Sequence, residues 1–427
     1  MANNKMKKKS PVPMKSMISP VSMKSPLSNP GKQTISLCLV MIVKDEEDTM
    51  ERCLRAVAPY IEHWVIVDTG STDKTKEVIR KTMDDLGIPG ELHERPWVNF
   101  EVNRTESLNL AKNKCDYRWI IDADDTFFTE LPSVNPFAGL DTRPDCYQLM
   151  YKLNQLQYNR AQIVKSDQNW VYKGVLHEYL YLDEERIEVM QVPIRGCYVM
   201  ADISPLKRAS SLEEKYSNDA KILEDALVKE PDNERYMFYL AQSYRDANQL
   251  EKAVESYQKR VDMKGWEEEV YYSMYMIAKI SERMGKPDSE IIDLYSRAWE
   301  YRPARLEAVF HTMRKLRDQG RHLISFAYGD VAIKTKGTGD ILFIEPEIWQ
   351  WRLLDEYSLS AYYIGNPEIA LEKTGAIMNA PFFKDILPEE QKRLNKNMEF
   401  YKKGAEEKMR KLKQMQALQK VQGLKNV

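Results

Sequence analysis

The stretch ISLCLVMIVKDEED, residues 35–48, decides the fold of the first half of this chain. Its first nine residues form an unbroken apolar run with several β-branched side chains, which is typical of a strand buried on both faces of a sheet. After the acidic cluster, apolar residues recur at Met50, Cys53, Leu54 and Val57. This helical spacing, with acids at the positive end of the helix dipole, predicts an amphipathic helix after the strand.

Strand and helix keep alternating beyond this unit. Further strands are predicted at 63–68, 91–97 and 117–122, and further helices at 78–86 and 103–114. The alternation predicts an α/β fold with a mainly parallel sheet and helices on both faces. The segment 145–200 is expected to add more strands, joined by loops.

Acidic residues end the predicted strand 117–122, in the run DADD (122–125). Ligands of such sheets bind beyond the carboxyl ends of the strands. We therefore expect Asp122 and Asp124 to hold Mg²⁺ or Mn²⁺, because these ions take one or two carboxylates and complete their shell with phosphate oxygens. The ion would neutralise charge on a leaving diphosphate. A solvated acidic turn is the structural alternative.

A second polar cluster, DTGSTD (68–73), follows the second predicted strand. Asp68 is expected to accept a hydrogen bond from a nucleobase or a ribose hydroxyl, and Gly70 permits a tight turn. Capping of the next helix by Ser71 or Asp73 is compatible with that role. The sequence contains neither GxxxxGK[ST] nor GxGxxG, which argues against a phosphate-binding P-loop and a dinucleotide oxidoreductase.

The composition excludes several classes of protein. With 427 residues, 43% of them hydrophobic and 30% charged, the chain is expected to form two or three globular units. A net charge of -2 gives no overall field that favours nucleic acid or an anionic membrane. The five cysteines are scattered without a CxxC pair, which favours a reducing, cytoplasmic location. No apolar run reaches the roughly 20 residues that cross a bilayer, so no transmembrane segment is expected.

Domain boundaries follow from shifts in composition. Residues 1–33 contain seven lysines and no acid, and are expected to be a disordered basic tail. The α/β domain is predicted at 34–205, a helical repeat domain at 209–400, and a basic helix at 401–427.

The helical half contains an internal repeat. Residues 234–261 align with 269–299 at offsets of 36 to 38 residues, matching Tyr236 with Tyr272, Ala241 with Ala278 and Tyr257 with Tyr295. The pattern resembles tetratricopeptide repeats, which are paired helices with a period of about 34 residues. We expect this all-α region to bind a peptide or to support a homo-oligomer.

Three runs of the first half, taken in order and spacing, resemble the family 2 glycosyltransferases. They are SLCLVMIVKDEEDTMERCLRAV (36–57), VIVDTGSTDKTKEV (65–78) and IIDADD (120–125). The likeness is greatest to the branch whose catalytic domain carries tetratricopeptide repeats, which includes the S-glycosyltransferase of the glycopeptide sublancin. The resemblance implies a GT-A fold and a metal-dependent, inverting transfer of a sugar from a nucleoside-diphosphate sugar.

The resemblance also implies roles for individual residues. Asp122 and Asp124 match the metal-binding DxD motif of the family, and Asp68 matches the acid that contacts the nucleoside. Within WVNFEVNRT (97–105), Arg104 matches an arginine near the diphosphate, whereas Asn103 and Thr105 depart from the family pattern. Donor contacts are expected from Val43, Asp45, Glu46, Asp68, Gly70, Arg104, Asp122 and Ala123.

A further run, GVLHE (174–178), matches a GxxHE element of this branch. The match implies that His177 is a third metal ligand, since imidazole tolerates Mn²⁺. It also implies that Glu178 is the general base that deprotonates the acceptor, with Asp167 as a second candidate. A purely structural His-Glu pair is the alternative.

Other functions stay open at this point. A repeat scaffold with an inactive transferase domain is one, although Asp68, Asp122, Asp124 and His177 are all retained. A nucleotidyltransferase shares the sheet and the metal chemistry, but residues 35–50 lack its glycine-rich phosphate loop. A peptide, protein or glycan acceptor is favoured. The lysine-rich tail leaves a modified-DNA acceptor open, which would show steep salt dependence of binding.

Overall fold

The computed structural model describes residues 35–153, 156–185, 188–201 and 211–424 of the chain, so the basic tail predicted at 1–33 lies outside the described residues. The chain forms two compact units, the first ending at Ala226 and the second beginning at Leu227. This boundary lies inside a helix, Leu212–Lys229, and therefore after the change predicted at 205–209.

The first unit contains strands and helices in the predicted alternation, followed by a run of strands. The strands are β1 (Leu37–Val43), β2 (His63–Asp68), β3 (Gly90–Glu94), β4 (Tyr117–Ile120), β5 (Thr126–Thr129), β6 (Cys146–Leu153), β7 (Leu156–Lys165), β8 (Trp170–Lys173), β9 (Tyr179–Leu182) and β10 (Gln191–Met200). The helices are α1 (Met50–Val57), α2 (Thr75–Leu86), α3 (Phe100–Leu110) and α4 (Leu212–Lys229). The sequence pattern did not predict the short β5, and within 145–200 it did not mark β7 as a separate strand.

Eight strands form one sheet in the order β3-β2-β1-β4-β7-β6-β10-β5. The first four in this order run parallel, which confirms the predicted α/β fold class. Strand β7 is antiparallel to both β4 and β6, and β8 pairs with β9 in a separate hairpin. Because β1, β2 and β4 are parallel, the polar runs that follow them meet at one edge of the sheet.

Strand β1 supplies side chains to both faces of the sheet. Leu37, Leu39 and Met41 pack into the cluster that contains Cys53 and Leu54 of α1. Cys38 and Val40 face the opposite way, into a cluster with Leu108 of α3 and Trp170 of β8. This two-residue alternation explains why residues 37–43 are apolar throughout.

The second unit is helical. Its helices are α5 (Glu234–Asp246), α6 (Leu250–Met263), α7 (Glu267–Arg283), α8 (Asp288–Tyr301), α9 (Glu307–Asp318), α10 (His322–Ala332), α11 (Leu353–Tyr363), α12 (Pro367–Met378) and α13 (Pro388–Leu424). Successive helices from α5 to α13 pack on one another, and the helix pairs α5/α6 and α7/α8 are the two aligned repeats. The boundary predicted at 400/401 falls inside α13, which is continuous. Within the described part of the chain, every helix is too short or too polar to cross a bilayer.

Candidate active site

A cavity of about 440 Å³ opens at the carboxyl edge of the parallel strands. Its walls come from the ends of β1 and β4, the loop after β2 and the first turns of α3. The lining residues are Ile42, Val43, Lys44, Glu46, Thr69, Trp97, Phe100, Arg104, Asp122, Ala123 and Asp124. Six of the residues predicted from the sequence, from three separate segments, therefore line one cavity: Val43, Glu46, Arg104, Asp122, Ala123 and Asp124.

The DADD run forms a turn whose carbonyl groups accept hydrogen bonds from side chains of α1. The Asp125 N–H donates to the Asp122 carbonyl at 3.1 Å. From α1, Arg52 Nη2 donates to the Asp124 carbonyl at 2.8 Å, and Cys53 Sγ donates to the Asp122 carbonyl at 3.5 Å. Because the main chain of the turn is fixed by these contacts, both carboxylates of the DxD motif remain at the cavity.

Arg104 joins a predicted metal ligand, Asp122, and a predicted catalytic residue, Glu178. Its Nη2 donates to Asp122 Oδ1 at 2.7 Å, and its Nε lies 2.9 Å from Glu178 Oε1. The guanidinium also lies over the Phe100 and Tyr172 rings, at 5.8 and 5.5 Å from their centroids. Burial disfavours the charged form, but Asp122, Tyr172 and Glu178 outweigh it and raise the pKa of Arg104. The site therefore holds a permanent, buried cation beside its acids.

A second arginine, Arg160, was not predicted from the sequence. Its Nη1 lies 3.7 Å from Asp122 Oδ2, and its guanidinium lies 5.1 Å from the centroid of the Tyr151 ring. Burial opposes ionisation of Asp122, but Arg104 and Arg160 outweigh it and hold the pKa of Asp122 below its usual value. Arg160 lies inside a strand of alternating pattern, so no local signal marks it as functional.

The fourth residue of the DADD run behaves differently from the first. Asp125 is 2% exposed, and the Tyr151 hydroxyl donates to its Oδ1 at 3.0 Å. Burial and the neighbouring Asp122 charge raise the pKa of Asp125 to about 7. Asp125 thus belongs to the support of the turn, whereas Asp122 is the ionised member.

Asp68 is buried at the end of β2 with only 1% of its surface exposed. Its Oδ1 accepts hydrogen bonds from the N–H groups of Gly70 and Ser71, both at 2.9 Å. Gly70 has φ of +108°, which explains the glycine at this turn. Among the described residues, Asp68 Oδ2 has no hydrogen-bond partner although it is buried. A buried carboxylate oxygen without a partner is costly, and a donor group on a ligand would satisfy it.

The acidic loop after β1 and the loop after β2 hold each other. The Asp45 N–H donates to Ser71 Oγ at 2.9 Å, and the Thr72 N–H donates to Asp45 Oδ1 at 2.8 Å. Asp73 Oδ1 accepts from the Thr75 N–H at 3.0 Å and so contacts the first residue of α2. Asp45, predicted as a donor contact, is in this structure part of the loop framework.

The segment that carries Glu178 is anchored on α3. The Gly174 N–H donates to Glu101 Oε2 at 2.8 Å, and the Tyr172 N–H donates to Thr105 Oγ1 at 2.9 Å. Thr105 is one of the two residues that depart from the family pattern, and it serves here to position β8. Gly174 and His177 both have positive φ, of +111° and +51°, so the loop is held in an uncommon conformation.

The structure offers two carboxylates, and not three ligands, for a metal. Across the residues described, no group of three or more histidine, cysteine, aspartate or glutamate side chains is arranged to hold an ion. His177 is exposed, so its assignment as a third ligand stays a prediction. Asp122 and Asp124 alone are compatible with Mg²⁺ or Mn²⁺, because these ions complete their shell with phosphate oxygens and water.

Asp167, the second candidate for the general base, is not brought to the site. It lies in the turn after β7, next to Ser166, whose N–H donates to the Asp116 carbonyl just before β4 begins. Asp122 follows the other end of β4, about 16 Å away at the usual rise per strand residue. The candidacy of Asp167 was therefore wrong, because β7 runs antiparallel to β4 and carries Asp167 to the opposite edge of the sheet.

Sequence comparisons with known proteins support the family resemblance of the first unit. Residues 38–136 match the sequence model of glycosyl transferase family 2. A TPR repeat-containing protein of Synechococcus elongatus is 29% identical over 140 residues, which cover 30% of this chain and 32% of that protein. The chain thus matches about a third of the length of this curated relative. The predicted family resemblance is confirmed.

Solved structures with some likeness to the chain are helical repeat proteins. A MamA protein aligns with 38% of this chain and 81% of its own, at 16% identity and a TM-score of 0.31. The TPR protein YrrB aligns with 39% of this chain and 77% of its own, at 13% identity and a TM-score of 0.29. At these scores the likeness carries no argument about function.

Proposed function

We propose that this protein transfers a sugar from a nucleoside-diphosphate sugar to an acceptor, because residues 38–136 match the sequence model of glycosyl transferase family 2. One observation carries the proposal: Arg104, Asp122 and Asp124 line one cavity at the carboxyl edge of the sheet. The carboxylates suit a divalent ion, and the guanidinium suits a diphosphate. A nucleoside group that donates to the free Asp68 oxygen would anchor the other end of the donor.

Aromatic side chains at the cavity give the donor an apolar surface. Trp97 is 44% exposed and meets Phe100 edge to face, with ring centroids 4.8 Å apart. Exposed indole faces stack with planar or sugar rings. We propose that Trp97 contacts the nucleobase or the sugar of the donor.

Metal dependence and inversion are the finer parts of the proposal. Mg²⁺ or Mn²⁺ at Asp122 and Asp124 would supply positive charge to the leaving diphosphate. Arg104 leaves its pair with Asp122 when the diphosphate arrives, since a phosphate is a better bidentate partner than a shared carboxylate. The acceptor attacks the anomeric carbon from the side opposite the diphosphate, and the bond to the diphosphate breaks. Glu178, released from Arg104, takes the acceptor proton.

The acceptor we favour is a peptide or protein, because helical repeats commonly present peptide-binding faces. A glycan is the alternative. A modified-DNA acceptor, a cytoplasmic location and assembly through the repeats stay predictions from the sequence.

The test is release of a nucleoside diphosphate from a panel of nucleotide sugars with Mn²⁺. We expect release from one donor in the wild-type protein and background release from Asp124→Asn. Asp85→Asn is the matched control, since Asp85 is an exposed acid on α2 away from the cavity. Wild-type turnover in Asp124→Asn would contradict the metal assignment. Absence of nucleotide binding by the wild-type protein would favour the scaffold function instead.

A further inference from the structure

The second unit contains a stretch of chain that lies on its own helices in the manner of a bound peptide. We name residues 338–345 (TGDILFIE), between α10 and α11, the strap. Its contacts reach α5, α7 and α9, which are the first helices of three successive pairs. Both the main chain and the side chains of the strap make these contacts.

Charged side chains of the helices hold the main chain of the strap. Glu268 accepts from the N–H groups of Ile341 and Leu342, both at 2.8 Å. Arg305 donates to the carbonyls of Leu342 and Phe343 at 3.0 and 3.3 Å. The Glu345 N–H donates to Glu307 Oε1 at 3.2 Å. Five main-chain groups between Ile341 and Glu345 are thus bound by side chains of the helical unit.

Three side chains of the strap fill separate subsites. Asp340 accepts from Arg302 Nε at 2.6 Å. The Phe343 ring lies 4.7 Å from Tyr272 and 6.5 Å from Phe238, measured between centroids. Glu345 accepts from the Tyr275 hydroxyl at 2.7 Å and from Lys279 Nζ at 3.4 Å. The face formed by α5, α7, α9 and the residues just before α9 therefore binds an acid, an aromatic residue three positions later and a second acid two positions after that.

Charged groups of the helical face pair with each other, whereas the large apolar side chains of the strap are only partly buried. Arg305 and Glu307 are fully buried and form an ion pair at 2.9 Å. Ile341 and Phe343 are 62% and 46% exposed, unusual for large apolar residues that belong to a core. Phe343 also has a φ of +46°, in the left-handed region that L-residues disfavour. The charged groups of the helices and Asp340 of the strap are thus buried and paired, whereas the apolar residues Ile341 and Phe343 of the strap are only partly covered.

We propose that the strap is a resident ligand of this face, and that a segment of a partner protein with the pattern Asp-x-x-Phe-x-Glu takes its place. The strap is tethered at both ends and has an effective concentration in the millimolar range, so it competes strongly with a partner. The partner binds with full affinity only when the strap is released. This proposal concerns the helical unit and does not depend on the transferase activity.

A labelled peptide of the strap sequence, TGDILFIE, tests the proposal by fluorescence anisotropy with the full chain. In the double variant Phe343→Ala/Glu345→Gln, two side chains of the strap no longer fill their subsites on the helices. We therefore expect this variant to bind the peptide at least tenfold more tightly than the wild-type chain does. Adding Lys279→Ala should reduce this gain several-fold, whereas adding Lys286→Ala, at an exposed lysine beyond α7, should not. A folded double variant that binds no peptide at millimolar concentration would overturn the proposal.

Hydrogen exchange of the wild-type chain gives a second test if the double variant fails to fold. The amides of Ile341 and Leu342 should exchange faster than protected amides of α7 and α9, because release of the strap leaves those helices intact. Exchange of the strap amides only with global unfolding would overturn the proposal.

Discussion

Replacing Asp68 by asparagine separates the two tasks that its carboxylate performs. Oδ1 accepts from two N–H groups of the loop, at Gly70 and Ser71, while Oδ2 is buried without a partner among the described residues. Asparagine keeps an oxygen for the loop and places an amide NH₂ where Oδ2 lies. A ligand donor at that position would then meet another donor. We therefore expect the Asp68→Asn protein to fold and to bind the nucleotide poorly.

The size of both effects follows from the contacts. Hydrogen bonds to charged groups contribute about 1.5 to 3 kcal/mol, so nucleoside diphosphate affinity should fall roughly tenfold to 150-fold. Since both loop hydrogen bonds persist, the free energy of unfolding should change by less than about 1 kcal/mol. Asp68→Ala, by contrast, leaves two N–H groups without their acceptor, at about 1 to 3 kcal/mol for each buried one.

Isothermal titration with nucleoside diphosphates and urea unfolding measure the two quantities separately. Asp85→Asn serves as the control for introducing an asparagine in the same unit. If Asp68→Asn bound the nucleotide with wild-type affinity, the role assigned to Asp68 Oδ2 would be wrong, because this oxygen would then contact no ligand. Equal destabilisation of Asp68→Asn and Asp68→Ala would refute the assignment of Oδ1 to the loop.

Two further predictions address the cation of the site and a buried histidine of the repeats. Arg104→Gln frees Asp122 from its 2.7 Å hydrogen bond, so Mn²⁺ affinity without nucleotide should rise about tenfold, the equivalent of about 1.4 kcal/mol, while nucleoside diphosphate affinity falls. Titration of each ligand alone measures this, and a parallel loss of both affinities would contradict it. Burial, with Arg314, Lys279 and Arg352 nearby, lowers the pKa of His311 from 6.5 to about 3. Between pH 6.5 and pH 3, His311 therefore binds a proton in the unfolded chain but not in the folded chain. The free energy of unfolding falls as pH decreases through this range, by up to about 1.4 kcal/mol per pH unit. His311→Phe should reduce the slope of urea stability against pH from 6 to 4, and an unchanged slope would show that His311 does not titrate in that window.

Much of the first unit follows from local sequence. The apolar run 35–43 fixes a strand buried on both faces, and the alternation of strands and helices that follows requires parallel pairing. Parallel pairing places the residues after each strand at one edge, which is why Asp68, Asp122 and Asp124 were predicted together. The paired helices of the second unit follow in the same way from apolar spacing repeated at 36 to 38 residues.

Other parts of the site depend on register between distant strands. In the antiparallel pairing of β4 with β7, Tyr117 lies opposite Lys165 and Trp119 opposite Ile163. Continuing this register brings Arg160 beside Asp122 and carries Asp167 away from it. A sequence pattern reports the period of one strand, but not which residue of a distant strand lies opposite. Arg160 was missed and Asp167 was wrongly included for this one reason.

Most elements of the first unit, their order and the edge at which the acids gather could be predicted from the sequence, because these depend on periodicity and on the chirality of short connections. The tertiary structure was needed to show that Arg104 bridges Asp122 and Glu178, that Asp45 serves the loop framework, and that the strap lies on α5, α7 and α9. Each of these contacts joins side chains far apart in the chain. Their geometry is set by packing of whole elements, to which no local pattern of residues corresponds.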